Sequence, residues 1–177
     1  MNGPLIVQSD RTLLLEVDHT DAEPCRSAVA SFAELETAPE HVHTYRITPL
    51  ALWNARAAGI DAETVVDALT MWSRFPVPPA VFVDVAETMA RYGRLVLEQA
   101  EATPEGAGAP AGSLVLRAAA LADLPVLEEV LRAKGIAPLV SARLGPIAVA
   151  VPAAERGRLK QALVKLGWPC DDQAGHR

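Results

Sequence analysis

Between residues 40 and 98 almost every joint carries its own start or stop signal, and this punctuation most restricts how the chain folds. Thr48 precedes Pro49, an N-cap followed by proline at the first helical position, where a missing N–H costs nothing. Gly59 stops that helix as a left-handed C-terminal glycine. Asp61 caps a second helix, and Phe75-Pro76-Val77-Pro78-Pro79 separates it from a third that runs to Tyr92-Gly93. With a strand over 41–47, a strand from Arg94, a loop of about a dozen residues and another strand near Leu114, the order is that of a winged helix. Winged helices often dock on nucleic acid, although a scaffold does not fix a function.

The helical stripes name core positions. Leu50, Trp53 and Ala57 share one face, as do Val65, Leu69 and Trp72, and Val85, Met89 and Tyr92. Trp53 and Trp72 are candidate stacking platforms for bases, but their place on apolar stripes favours core packing. The third helix takes the recognition position, yet its polar face is Asp84, Glu87, Thr88 and Arg91. Two carboxylates facing phosphates are unfavourable, so simple groove insertion is disfavoured. Arg74, Arg91 and Arg94, at the ends of elements, remain as DNA-contact candidates.

Upstream, LIVQSDRTLLLEV at 5–17 reads as a β-hairpin around Ser9-Asp10, its second strand fully apolar on the Leu13, Leu15, Val17 face and partly so at Leu14. A helix opening within 18–21 carries Cys25, Val29, Phe32 and Leu35 at helical spacing, and 36–40 is a polar joint. Downstream, AEATPEGAGAPAG at 100–112 reads as a linker or long wing. Then come a strand at 113–117, a helix at 123–134 stopped by Gly135, strands at 138–144 and 147–151, and a helix at 153–166 stopped by Gly167. This β-α-β-β-α order suits a small open sheet with both helices on one face. The predicted class is α+β: a hairpin, helix and winged-helix-like domain over 1–99, a connection at 100–112, a small α/β domain over 113–170, and 171–177 as the start of a linker.

Half of the 177 residues are apolar, enough for a substantial core. No uninterrupted apolar run of about 18 residues offers a membrane span, and the first residues lack the order of a secretory signal. Cys25 and Cys170 fit no metal or redox spacing and are expected to be reduced thiols in a cytoplasmic protein. Net charge is −6, which argues against a generic nucleic-acid coat. Its distribution shifts along the chain, from −5 over 1–39 through −2 over 40–99 to +1 over 100–177. The densest basic group, Arg156, Arg158, Lys160 and Lys165, sits on the last helix and gives the first candidates for phosphate contacts.

Phosphate loop, dinucleotide fingerprint, H-E-x-x-H and G-x-S-x-G elbow are all missing. No catalytic residue, cofactor site or metal site is therefore assigned. His41 and His43 form H-x-H, half of a conceivable metal site with only Glu40 and Cys25 as remote helpers, and a surface or structural pair is the better account.

Three blocks, PLIVQSDRTLLLEVDH at 4–19, PEHVHTYRITPLALWNARAAG at 39–59 and MARYGRL at 89–95, closely resemble the N-terminal region of bacterial XPB-type DNA repair helicases. VLEEVLRAKGIAP at 126–138 and ERGRLKQALVKLGWP at 155–169 resemble the same proteins. In that family the region precedes a two-lobed superfamily 2 motor that hydrolyses ATP, moves 3′ to 5′ and opens DNA for repair. The resemblance implies that the second α/β unit is damage-recognition-like, that ATP and magnesium belong to the motor, and that none of the motor's residues lie in this chain. The partners it implies are DNA, duplex or forked and weakly bound, the motor domains, and a repair nuclease. The apolar face left on the N-terminal hairpin, Leu14 above all, is the expected motor contact from pattern. An adaptor that docks on a helicase or nuclease without touching DNA is the alternative.

Overall fold

The computed structural model describes residues 2–175 and divides into two compact units, residues 1–90 and 91–177. Among the described residues there are six α-helices and two small sheets, so the class is α+β as expected.

The first unit begins with the predicted hairpin, β1 (Leu5–Val7) and β2 (Thr12–Glu16). Its turn is closed by Gln8 N–H donating to Thr12 O at 2.9 Å, with Arg11 in the left-handed region at φ 71°. Asp10 Oδ1 accepts from Thr12 N–H at 2.9 Å, and that bond holds the Asp10 carboxyl below its usual pKa. Helix α1 (Ala22–Ala30) buries Cys25 and Val29 but stops short of the expected stripe. Phe32 is buried in the turn that follows, whereas Leu35 is half exposed in a strand the sequence did not announce, β3 (Glu34–Thr37). β4 (Val42–Arg46) pairs antiparallel with both β2 and β3, giving the order β1-β2-β4-β3.

Helices α2 (Pro49–Ala57), α3 (Ala62–Trp72) and α4 (Pro79–Ala90) obey their signals. Thr48 Oγ1 accepts from Ala51 N–H at 3.1 Å and Asp61 Oδ1 from Thr64 N–H at 2.9 Å, each supplying a partner to a first-turn amide. The core gathers Leu5, Leu13, Leu15 and Tyr45 from the sheet with Val29, Val65, Leu69, Val81, Val85 and Met89 from the helices. The buried side of α2 differs from expectation: Ala51, Leu52, Trp53 and Ala55 are inside, while Leu50 and Ala57 are exposed. That helix is apolar nearly all round, so its spacing does not choose a face. Trp53 is core, as read, with its indole N–H donating to Thr88 O at 2.8 Å.

The second unit is a five-stranded sheet, order β7-β8-β6-β5-β9. β5 (Leu95–Gln99) and β6 (Ser113–Ala118) form the antiparallel pair that the sequence offered as a wing, but they are the sheet's centre. The unit boundary accordingly falls at Ala90/Arg91 rather than at 99. β8 (Ala148–Pro152) pairs antiparallel with β6. β7 (Ala142–Arg143) is only two residues, because Ala137–Leu139 forms a single 3-10 turn where a longer strand was expected. Helices α5 (Leu124–Leu131) and α6 (Arg156–Leu166) bury Val126, Leu127, Val130, Leu159 and Leu163 against Leu95, Leu97, Leu114, Leu116, Val149 and Val151. Pairing of Leu97 with Leu116 and of Leu116 with Val149 puts those strand residues on one face, so both helices cover the same side, as predicted.

Residues 100–112 are no slack linker. Ala100–Ala102 and Pro104–Gly106 are 3-10 turns packed on β6, Thr103 is buried, and Gly112 O accepts from Ala153 N–H at 2.9 Å. At Gly106 an added Cβ would stand 2.1 Å from Ala100 O, so only glycine permits this approach. The chain's last described stretch is also structured: β9 (Asp171–Asp172) lies parallel to β5, and Gln173 N–H donates to Leu97 O at 2.8 Å. His176 and Arg177, the end of the expected linker, lie outside the described residues.

Gly106→Ala is expected to destabilise the protein by about 1–3 kcal/mol in urea unfolding. Gly108→Ala, with nothing within 4 Å of the added Cβ, should stay within about 0.5 kcal/mol of wild type. Equal, negligible effects would mean that the segment is not packed.

Candidate nucleic-acid interface

Charge separates with the units. Residues 1–90 hold five arginines against thirteen acids, net −8, and residues 91–177 hold eleven basic residues against nine acids, net +2. The seven basic residues singled out by sequence fall on both, and their side chains are not equally available.

Arg74, in the first unit, donates to Gly3 O at 3.1 Å and pairs with Glu16. Arg91, in the second, stacks over the Trp168 ring 3.8 Å from its centroid and donates through Nε to Gly167 O at 2.6 Å. Arg94 pairs with Asp123 at 3.3 Å. These three cations are tied into local structure.

The last helix builds the rest. It ends in a Schellman arrangement: Gly167 at φ 84°, Gly167 N–H to Val164 O at 3.0 Å and Trp168 N–H to Leu163 O at 2.9 Å. With Leu159 and Leu163 inward, its cations stand on the outer face, but two of them turn to one carboxylate. Arg156 Nε and Lys160 Nζ donate to Asp172 Oδ2 at 2.8 and 3.0 Å, while Asp172 Oδ1 accepts from Ala174 N–H at 3.0 Å. Burial pushes the Asp172 pKa up; donation from Lys160, the Ala174 backbone and Arg156 outweighs it, and the net shift is downward. Arg158 is 78 % exposed and lies 3.6 Å from Glu155, beyond a good hydrogen bond. Lys165 is exposed and makes no ion pair among the described residues.

Arg158 and Lys165 rim a groove of about 390 Å³ whose other walls include Gly135, Pro138, Leu139 and Ala162. The turn after α5 brings two further exposed cations, Arg132 and Lys134, into the chain just ahead of Gly135. Both fall inside the helix expected over 123–134, where spacing alone does not single them out. The helix ends at Leu131.

His41 Nδ1 lies 2.7 Å from Asp18 Oδ2, His43 Nδ1 is buried with no hydrogen-bond partner, and no cluster of three metal-capable side chains exists among the described residues. Burial, with Asp21 nearby, pushes the Cys25 thiol to about 12, and burial, with Asp172 nearby, does the same to Cys170. Neither thiol is a nucleophile at neutral pH. No helix among the described residues is long and apolar enough to cross a membrane.

Residues 5–145 match the family described as "Helicase conserved C-terminal domain". Over 99 % of its length the chain is 62 % identical to the DNA 3′-5′ helicase XPB of Kineococcus radiotolerans, and over 99 % it is 59 % identical to that of Mycobacterium tuberculosis. It spans 29 % and 30 % of those proteins. Over 51 % of the chain it is 31 % identical to 13 % of the general transcription and DNA repair factor IIH helicase/translocase subunit XPB of Antonospora locustae.

Because Asp172 titrates lower folded than unfolded, its contribution to stability is complete above the ordinary carboxylate value of 3.8 and is lost as pH falls below it. Asp172→Asn should therefore destabilise the protein at pH 7, with a shallower fall in stability below pH 4 than wild type in acid-titrated thermal melts. Parallel acid profiles would exclude a clasp at this carboxylate.

Proposed function

This chain belongs to the helicase family that covers residues 5–145, and on that premise we propose that it is the N-terminal accessory module of an XPB-type 3′-5′ DNA helicase. The observation that carries the proposal is the match to two bacterial XPB helicases along 99 % of the chain but only about three tenths of theirs. Although the family's description names a C-terminal domain, the placement ahead of the motor rests on the resemblance of blocks 4–19 and 39–59 to the opening of such helicases. A module of this kind binds DNA weakly while ATP, magnesium and strand movement belong to the motor.

The charge division supports DNA contact through the second unit, which is net positive, and leaves the acidic first unit for protein contacts. Within the second unit the contacts fall first to Arg158 and Lys165, which are exposed, and then to Arg156 and Lys160, which phosphate oxygens would have to win from Asp172. Arg74, Arg91 and Arg94 drop to positioning roles, since each already has a partner. Backbone reading without base-edge specificity follows from this distribution. Leu14, half-buried on β2, is the apolar contact we assign to the motor, and a repair nuclease is a further partner of the assembled helicase.

A second function has its own support. The first unit's net charge of −8, with Asp84 and Glu87 on α4, favours an adaptor that docks on a basic protein surface and never touches DNA.

Fluorescence anisotropy with plain duplex, forked and single-stranded DNA over a salt series separates the two. We expect binding that prefers the fork and weakens steeply with salt, as release of a few counterions requires. Absence of binding at low salt would favour the adaptor.

A further inference from the structure

Two features of the groove on the second unit differ from a plain basic helix face. Its floor carries Pro138 and Leu139 from a 3-10 turn and Ala162 from α6, with the polar Gln161 beside them, and Gly135 lies in ordinary contact with α6, where an added Cβ would stand 3.7 Å from Ala162 Cβ. Its rim carries Arg158 and Lys165, about two turns apart on α6, and Lys134 is the chain neighbour of the lining residue Gly135. Several other cations of the unit are spoken for: Arg117 by Glu98 at 2.8 Å, Arg143 by Glu128 at 2.8 Å, Arg156 and Lys160 by Asp172. Lys165 makes no ion pair among the described residues and Arg158 only a loose one with Glu155 at 3.6 Å, so available positive charge lies beside the apolar part of the floor. A duplex backbone has no use for such a floor, because it presents only phosphate and sugar to a surface groove. An unpaired nucleotide does, because its base offers a flat apolar face a few ångströms from its phosphate.

We propose that this groove, between the 135–139 turn and α6, holds unpaired nucleotides of single-stranded DNA, with bases laid on Pro138 and Ala162 above the buried Leu139 and phosphates on Arg158 and Lys165. The inference rests on the DNA-binding function proposed above and narrows it to unpaired strands. Charge complementarity selects the ligand: an apolar ligand would leave the rim's cations unpaired, and a duplex would leave the floor bare. No aromatic platform lines the groove, so the contribution of the bases is a moderate one that adds to the phosphate contacts.

The test uses fluorescein-labelled oligothymidylate, an abasic oligomer of the same length and charge, a duplex, and polyglutamate as competitor. Wild-type protein is expected to bind oligothymidylate several-fold more tightly than the abasic strand and than the duplex. The double variant R158E/K165E, both positions solvent-exposed, is expected to lose roughly tenfold or more in affinity for oligothymidylate with an unchanged melting temperature. Equal affinity for the abasic strand overturns the nucleotide groove while leaving backbone DNA binding intact. So does unchanged affinity of R158E/K165E, which moves the DNA contact elsewhere on the chain. Should polyglutamate displace oligothymidylate as well as unlabelled oligothymidylate does, the groove is a site for acidic protein segments and the proposal falls. Failure of every nucleic acid to bind overturns both this inference and the DNA-binding function beneath it.

Discussion

The pair formed by Glu98 and Arg117 governs how the second unit is built. β5, β6 and β8 are buried on both faces, yet Glu98 on the side away from the helices is a carboxylate only 8 % exposed. A carboxylate so placed persists only if it is paired and hydrogen-bonded. Arg117 answers with two bonds, Nε to Oε2 at 2.8 Å and Nη2 to Oε1 at 3.2 Å, the fork geometry that suits guanidinium and carboxylate. The hydrogen bonds to Glu98 raise the Arg117 pKa against the opposing effect of burial, and the charges of Glu98 and Glu105 add to the rise. Glu105 belongs to the 100–112 segment, which is held on the sheet by its 3-10 turns packed on β6 and by Gly112 O accepting from Ala153 N–H. The β5–β6 connection serves as a lid on the sheet's second face.

Neutralisation of this kind decides which cations remain to act. A count of basic residues along α6 makes Arg156, Arg158, Lys160 and Lys165 equivalent, but Asp172 breaks the equivalence by taking the first and third. The same carboxylate fixes β9 at the edge of the sheet, with Gln99 Nε2 donating to Ala174 O at 2.8 Å beside it. A residue that looked like the start of a tail is thus structural and electrostatic at once. The stacked Arg91 shows the same logic with a ring in place of a carboxylate: its guanidinium is held between Trp168 and Gly167 O, while the indole N–H donates to Glu129 at 2.9 Å.

What the sequence made legible was local chemistry. Thr48, Pro49, Gly59, Asp61 and Gly167 mark helix ends that depend on one or two residues, and the structure places each helix boundary beside them. The alternation in β2 and the helical stripe in α3 were readable because one face of each meets a core. β3 and β9 carried no such signal. β3 is a fully exposed edge strand rich in glutamate, and β9 is two aspartates held by partners 70 or more residues away in sequence or by α6. Strand pairing and ion pairing across that separation leave no periodicity to read. The exposed polar edge also suits β3's position, since charged residues there discourage pairing with another chain.

The groove illustrates why candidate sites are harder to read than folds. From spacing alone, Arg158 and Lys165 lie on a solvated helix face, and Gly135 is a stop signal. Only the packing of the 135–139 turn on α6 joins them into one surface, because α5 ends at Leu131 and the chain then turns back through a 3-10 segment. An acidic first unit sharpens the consequence. With −8 on residues 1–90 and +2 on residues 91–177, attraction for a polyanion belongs to the second unit. For the proposed ligand that confinement costs little, since the groove would take only a few nucleotides of a flexible single strand. Local charge and local apolar surface therefore point to the same ligand, and the overall negative charge of the chain is no obstacle to it.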